Sequence, residues 1–166
     1  MSQAARAGGL PRWHPAWWVA TVAGIGFLPM APGTWGSLVA LPVGFAVSRH
    51  YPSLWLAPLA VLVFLLGWWA SAVYVARTGK DDPGEVVIDE VAGQLLTLAL
   101  VPAHWFTYAA GFLVFRVLDI AKPFPASWCD REIPGGLGVM ADDMVSGLYG
   151  MIVMGIAVYL GGTLQF

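Results

Sequence analysis

The chain carries ten Asp and Glu residues, and every one lies after position 80. Five of them, Asp89, Glu90, Asp119, Asp142 and Asp143, adjoin or enter apolar runs instead of polar loops. An ionised carboxylate near a bilayer centre costs about 2.5 kcal/mol or more, so each needs a compensating partner. Helix capping is the simplest account, since an Asp near a helix N-terminus gains about 0.3–1 kcal/mol from the dipole. That explains Asp142 or Asp89 taken alone. It does not explain Asp119, which falls near a helix C-terminus, where the dipole disfavours a carboxylate; Arg116, Lys122 or a bound cation must compensate it. Carboxylates converging at one depth repel one another, and a divalent metal relieves that repulsion; hard oxygen ligands suit Mg²⁺ or Mn²⁺. Salt-bridged structural acids are the alternative. Zn²⁺ fits less well, because His14, His50 and His104 show no ligand spacing.

The basic residues belong to the same pattern. In FRVLDIAKPFP (115–125), Arg116, Asp119 and Lys122 are spaced i, i+3, i+6 and share about a third of a helix circumference. Pro123 disfavours helix at Lys122, so the helix is expected to end there and swing the ammonium outward. Cations flanking a carboxylate can grip a phosphate while the acid supports a metal. APGTWGS (31–37) offers backbone N–H groups and the Thr34 and Ser37 hydroxyls, and PGGLG (134–138) precedes Asp142 and Asp143; both read as loops able to form anion-binding concavities. Ser146 and Gly147 read as packing residues that allow close helix approach. Asp81, Asp82 and Glu85 read as a solvated loop, and Asp130 and Glu132 as a surface turn around Arg131.

These residues must be positioned by a largely apolar scaffold. Of 166 residues, 58% are hydrophobic and 11% charged, against about a quarter charged in soluble domains, which points to an integral membrane protein. The length suits one domain spanning 1–166. Apolar runs fall at 16–30, 35–48, 53–76, 86–101, 104–120 and 139–161. The expected fold is therefore all-α: an integral membrane helical bundle of about four to five transmembrane helices. The run at 16–30, broken by Gly24, Gly26 and Pro29, is expected to be interfacial or re-entrant. Val101-Pro102-Ala103-His104 reads as a tight turn between antiparallel helices. Arg6, Arg12, Arg77, Lys80, Lys122 and Arg131 place one membrane face in the cytoplasm, with Arg49 the exception. All five acids of interest then gather at that face. The N-terminal apolar stretch lacks a small-residue cleavage site and is expected to be retained.

Several chemistries are excluded. A net charge of −2 gives no case for nucleic-acid binding. Cys129 stands alone, and the position six residues after it holds Gly135 instead of the Arg of a cysteine phosphatase. The chain has no Asp-x-Asp, no Gly-x-Ser-x-Gly elbow, no phosphate-loop motif and no Pro-Ser-Gly-His.

APGTWGSL, DEVAGQ, FRVLDIAKPFP and GGLGVMADDMVSGLY, in that order and together spanning about 24–150, resemble the bacterial phosphatidylglycerophosphatase A family. The resemblance implies a Mg²⁺-dependent phosphatase of the bacterial cytoplasmic membrane that converts phosphatidylglycerophosphate to phosphatidylglycerol and inorganic phosphate. Its acidic positions correspond to Asp89, Glu90, Asp119, Asp142 and Asp143, and its basic ones to Arg116 and Lys122. On this view Asp89, Asp119 and Asp143 bind metal, and Glu90 is either a general base or a further ligand. Arg116 and Lys122 neutralise phosphoryl charge. Asp119 attacking directly, through an aspartyl phosphate, is a second route. The rival class is a small transporter or channel with a cytoplasmic-face acidic cation site, which predicts acids spread through the membrane depth. The oligomeric state is not legible in the sequence.

Overall fold

The computed structural model describes residues 10–163, and within them all regular structure is helical, with seven α-helices and no strand. The expected all-α class holds. The helices are α1 (Pro15–Ala20), α2 (Pro32–His50), α3 (Leu56–Thr78), α4 (Ile88–Thr97), α5 (Trp105–Ala121), α6 (Ala126–Glu132) and α7 (Gly135–Thr163). Arg6 lies outside the described residues.

Local sequence sets most boundaries. Pro32 occupies the first helical position of α2, where its missing N–H costs nothing. Gly79 closes α3 in the left-handed conformation, its N–H donating to the Val75 carbonyl at 2.8 Å. His104 caps α5 by accepting from the Phe106 N–H at 3.3 Å; the non-helical segment before it, 98–104, contains the 101–104 turn that the Pro102 break predicts and begins three residues earlier. At the other end of α5, Lys122 adopts the left-handed conformation just before Pro123.

Two stretches, Ser53–Thr78 and Gly135–Gly161, are long and apolar enough to cross a membrane. The sequence led us to expect four to five such helices. Length accounts for α5, with 17 residues, and for α4, which has ten and rises only about 15 Å; α2 has 19 residues, but its Pro, Gly, Ser, Thr and Arg residues make it less apolar. The 16–30 run yields α1, six residues long, and a single 3-10 turn at Ile25–Phe27. Neither piece has the length to span.

α4 is the centre of the assembly. It packs against α7, α3, α2 and α5, and every residue from Val91 to Thr97 is buried. Its side chains Val91, Leu95 and Leu96 join Ala40, Leu56, Ala60, Leu98, Tyr108 and Met154 in the main core. A second cluster of Ala16, Trp17, Ala20, Ala70, Tyr74 and Val86 seats α1 on α3. Small residues bring α4 and α7 close: a Cβ on Gly147 would stand 2.5 Å from the Gly93 carbonyl oxygen. The outer faces of α3, α5 and α7 expose Leu62, Leu65, Leu66, Leu113, Val117, Ile120, Val153 and Ile156. Apolar residues on the flanks and polar ones at one end are consistent with a membrane protein.

Candidate active site

Two adjacent acids open α4, because an N-terminal turn tolerates negative charge. Asp89 is buried and its Oδ1 accepts from the Glu90 N–H at 3.0 Å. Opposite them, the close α4–α7 contact brings Asp143 down onto the same spot. Carboxylate oxygens of Asp89, Glu90 and Asp143 all lie within 4.8 Å of one another. Asp142, Asp119 and Lys122 line the same cavity, of about 560 Å³. The five acids singled out in the sequence therefore meet in one place.

The charges are only partly balanced. Arg116 Nη1 lies 2.5 Å from Asp119 Oδ2, which answers how a carboxylate survives at that end of α5. Arg116 also donates to Ser37 Oγ at 3.5 Å, while Ser37 donates to the Gly33 carbonyl at 2.9 Å. Lys122 Nζ lies 2.7 Å from Asp142 Oδ2 and 2.5 Å from Asp130 Oδ1. The helix ends at Lys122 as Pro123 predicts, but the ammonium turns inward to two carboxylates instead of outward. Burial alone would lower its pKa, but Asp130 and Asp142 hold it above the usual lysine range. Tyr149 fixes this corner from α7, donating to the Phe124 carbonyl at 2.9 Å.

The remaining sequence candidates sit differently. APGTWGS and PGGLG are not loops but the first turns of α2 and α7. Pro32 and Gly33 line the cavity, whereas Thr34, Ser37 and Arg116 do not. Gly33 lies close enough that an added Cβ would displace the Glu90 carboxylate. Asp130, read from sequence as a surface turn, is the second partner of Lys122, and Asp81 and Asp82 are on the cavity wall. Sequence reasoning missed Asp130 because nothing local signals the fold-back of α6 onto α7, and Asp81 and Asp82 because nothing local places the segment between α3 and α4 at the cavity. Gly147 is a packing residue, as expected. Burial, then the charge of Asp142, pushes the Cys129 thiol up, and Cys129 does not line the cavity.

Glu90 Oε2, Asp142 Oδ1 and Asp143 Oδ2 are buried with no hydrogen-bond partner among the described residues. Orphaned carboxylate oxygens converging from two helices fit a hard divalent cation.

The family model for phosphatidylglycerophosphatase A matches residues 18–158. The chain belongs to the phosphatidylglycerophosphatase A family. The phosphatidylglycerophosphatase A of Escherichia coli K12 is 39% identical over 154 residues, covering 90% of this chain and 83% of that protein. The Haemophilus influenzae phosphatidylglycerophosphatase A is 34% identical over 142 residues, covering 85% and 87%. A Bacteroides thetaiotaomicron relative, provisionally named a phosphatidylinositol-3-phosphatase, is 37% identical over 151 residues, covering 87% and 94%. No solved structure matches the chain. Phosphatidylglycerophosphatase A members are enzymes of the phosphoric monoester hydrolase class, in keeping with an acidic cavity that has no thiol nucleophile.

Proposed function

We propose that the chain is a single membrane-embedded domain that hydrolyses phosphatidylglycerophosphate to phosphatidylglycerol and inorganic phosphate, using Mg²⁺. One observation carries the reading beyond family membership: the three carboxylates of Asp89, Glu90 and Asp143 within 4.8 Å, two of them with orphaned oxygens. Asp89, Glu90 and Asp143 would hold the cation, with Asp119 and Asp142 beside them. Mg²⁺ bound there supplies Lewis-acid stabilisation of phosphoryl oxygens and acidifies water. Asp119, oriented by Arg116 and through it by Ser37, accepts the proton of the attacking water. That proton is the one the departing glycerol oxygen needs when its bond to phosphorus breaks. Lys122, on the cavity wall, faces the charge spreading over the phosphoryl oxygens. Arg116, outside the wall, serves through Asp119, and Thr34 contributes the α2 turn whose N–H groups favour an anion.

In this reading the protein is multi-pass in a bacterial cytoplasmic membrane, with the cavity on the cytoplasmic side. α2, α3, α5 and α7 cross, and α4 crosses with the turn after it as a segment buried in protein, Leu98, Ala99 and Val101 being fully covered. The distribution of acids favours hydrolysis over an ion path. α3 contains none, and α7 contains none beyond Asp143. Turnover in ¹⁸O-water, with mass spectrometry of lipid and phosphate, tests the activity, and hydroxylamine trapping followed by mass spectrometry of the protein tests the route. Equal amounts of phosphatidylglycerol and singly labelled phosphate, with no hydroxamate at Asp119, are expected. A hydroxamate at Asp119 formed only with substrate would replace direct water attack by an aspartyl phosphate, and absence of both products would remove the assignment.

A further inference from the structure

The cavity has a second storey. Above the acid floor its wall continues through the 81–84 turn and the end of α6, where Asp81, Asp82 and Glu132 add further negative charge. Two cations line the cavity among the described residues, Lys122 and Arg131. Lys122 is held by two carboxylates, at 2.5 and 2.7 Å. Arg131 has no ion-pair or hydrogen-bond partner among the described residues, although it stands in an acidic rim. Its neighbour Asp130, clamped by Lys122, ties α6 to the cavity and so holds Arg131 at the wall.

The proposed substrate carries two phosphates across one glycerol: a terminal monoester, which is cleaved, and a diester, which is retained. The floor can neutralise the first. The diester needs a cation of its own, farther out, and an unfilled guanidinium is suited to grip two phosphate oxygens at once.

We propose that Arg131 is a specificity-determining residue that binds the retained phosphodiester of the substrate, an assignment that rests on the function proposed above. It makes the cavity a reader of lipids bearing two phosphates rather than of any phosphomonoester lipid. The test is steady-state kinetics in mixed micelles for the wild type, Arg131→Ala and Arg131→Lys, with phosphatidylglycerol, which keeps the diester alone, as inhibitor. Arg131→Ala should raise KM roughly ten-fold at nearly constant kcat, the scale of one charge-assisted contact at an accessible site. Phosphatidylglycerol should inhibit it competitively but about ten-fold more weakly than the wild type, and Arg131→Lys should recover part of both effects. Unchanged KM and inhibition, or a fall in kcat at constant KM, overturns the assignment. A wild type that releases no phosphate refutes the underlying function, a result distinct from any failure at Arg131.

Discussion

The arrangement of charge around Asp119 and Lys122 makes two separable predictions. Asp119→Asn should lower kcat by about 100-fold or more, the usual worth of a positioned proton acceptor, and Arg116→Met should lower kcat with little change in KM because Arg116 does not line the cavity. Steady-state kinetics on the two variants checks the split; a KM effect dominating in Arg116→Met would return that residue to direct phosphate binding. Lys122→Ala leaves Asp142 buried and unpaired, which should cost about 1–3 kcal/mol of stability, read as a lower Tm in detergent and relieved in Lys122→Arg. The Lys122 pKa is raised in the folded protein. The stability it contributes is therefore fully present below its unfolded value and lost only as pH rises through the folded one. Across the neutral range the contribution should be flat. The five acids were legible in the sequence because a carboxylate beside an apolar run is costly and needs a reason. Arg116 was legible as a partner for Asp119 from their i, i+3 spacing; its contact with Ser37, and Asp130 and Asp142 as the partners of Lys122, were not, since spacing along one helix says nothing of what another helix brings to it.

At the scale of elements, the site depends on how closely α4 and α7 approach. A Cβ at Gly147 would stand 2.5 Å from the Gly93 carbonyl oxygen. Gly147→Ala should therefore cost about 1–3 kcal/mol through overpacking and reduce activity by moving Asp143 away from Asp89. At Gly161 an added Cβ meets nothing within 4 Å, so Gly161→Ala should leave both Tm and activity unchanged. Equal behaviour of the two variants would remove the close-approach account. The helix end at Lys122 and the Pro102 turn were legible because proline acts locally. The shortness of α4 was not, because its apolar run continues through Val101 while the backbone stops being helical after Thr97; Leu98, Ala99 and Val101 are covered by neighbouring helices, so their apolar character marks burial and not helix length.

The whole molecule is organised as an apolar flank with one polar end, and that end is proposed to face the cytoplasm. α2 starts at the cavity, with Pro32 and Gly33 on its wall, and ends 19 residues later at His50. Tyr51 and the cavity rim should thus lie on opposite sides of the membrane. In a Cys129→Ser background, a membrane-impermeant thiol reagent should label Tyr51→Cys in intact cells and Asp82→Cys only after permeabilisation. The reverse pattern would invert the topology. The most direct test of the central claim is phosphate release from phosphatidylglycerophosphate by the purified chain, with Mg²⁺, with EDTA, and with Asp119→Asn. Release that requires Mg²⁺ and is lost on chelation and in the variant is the predicted result; release that persists in EDTA would contradict a carboxylate-held metal as the basis of the activity.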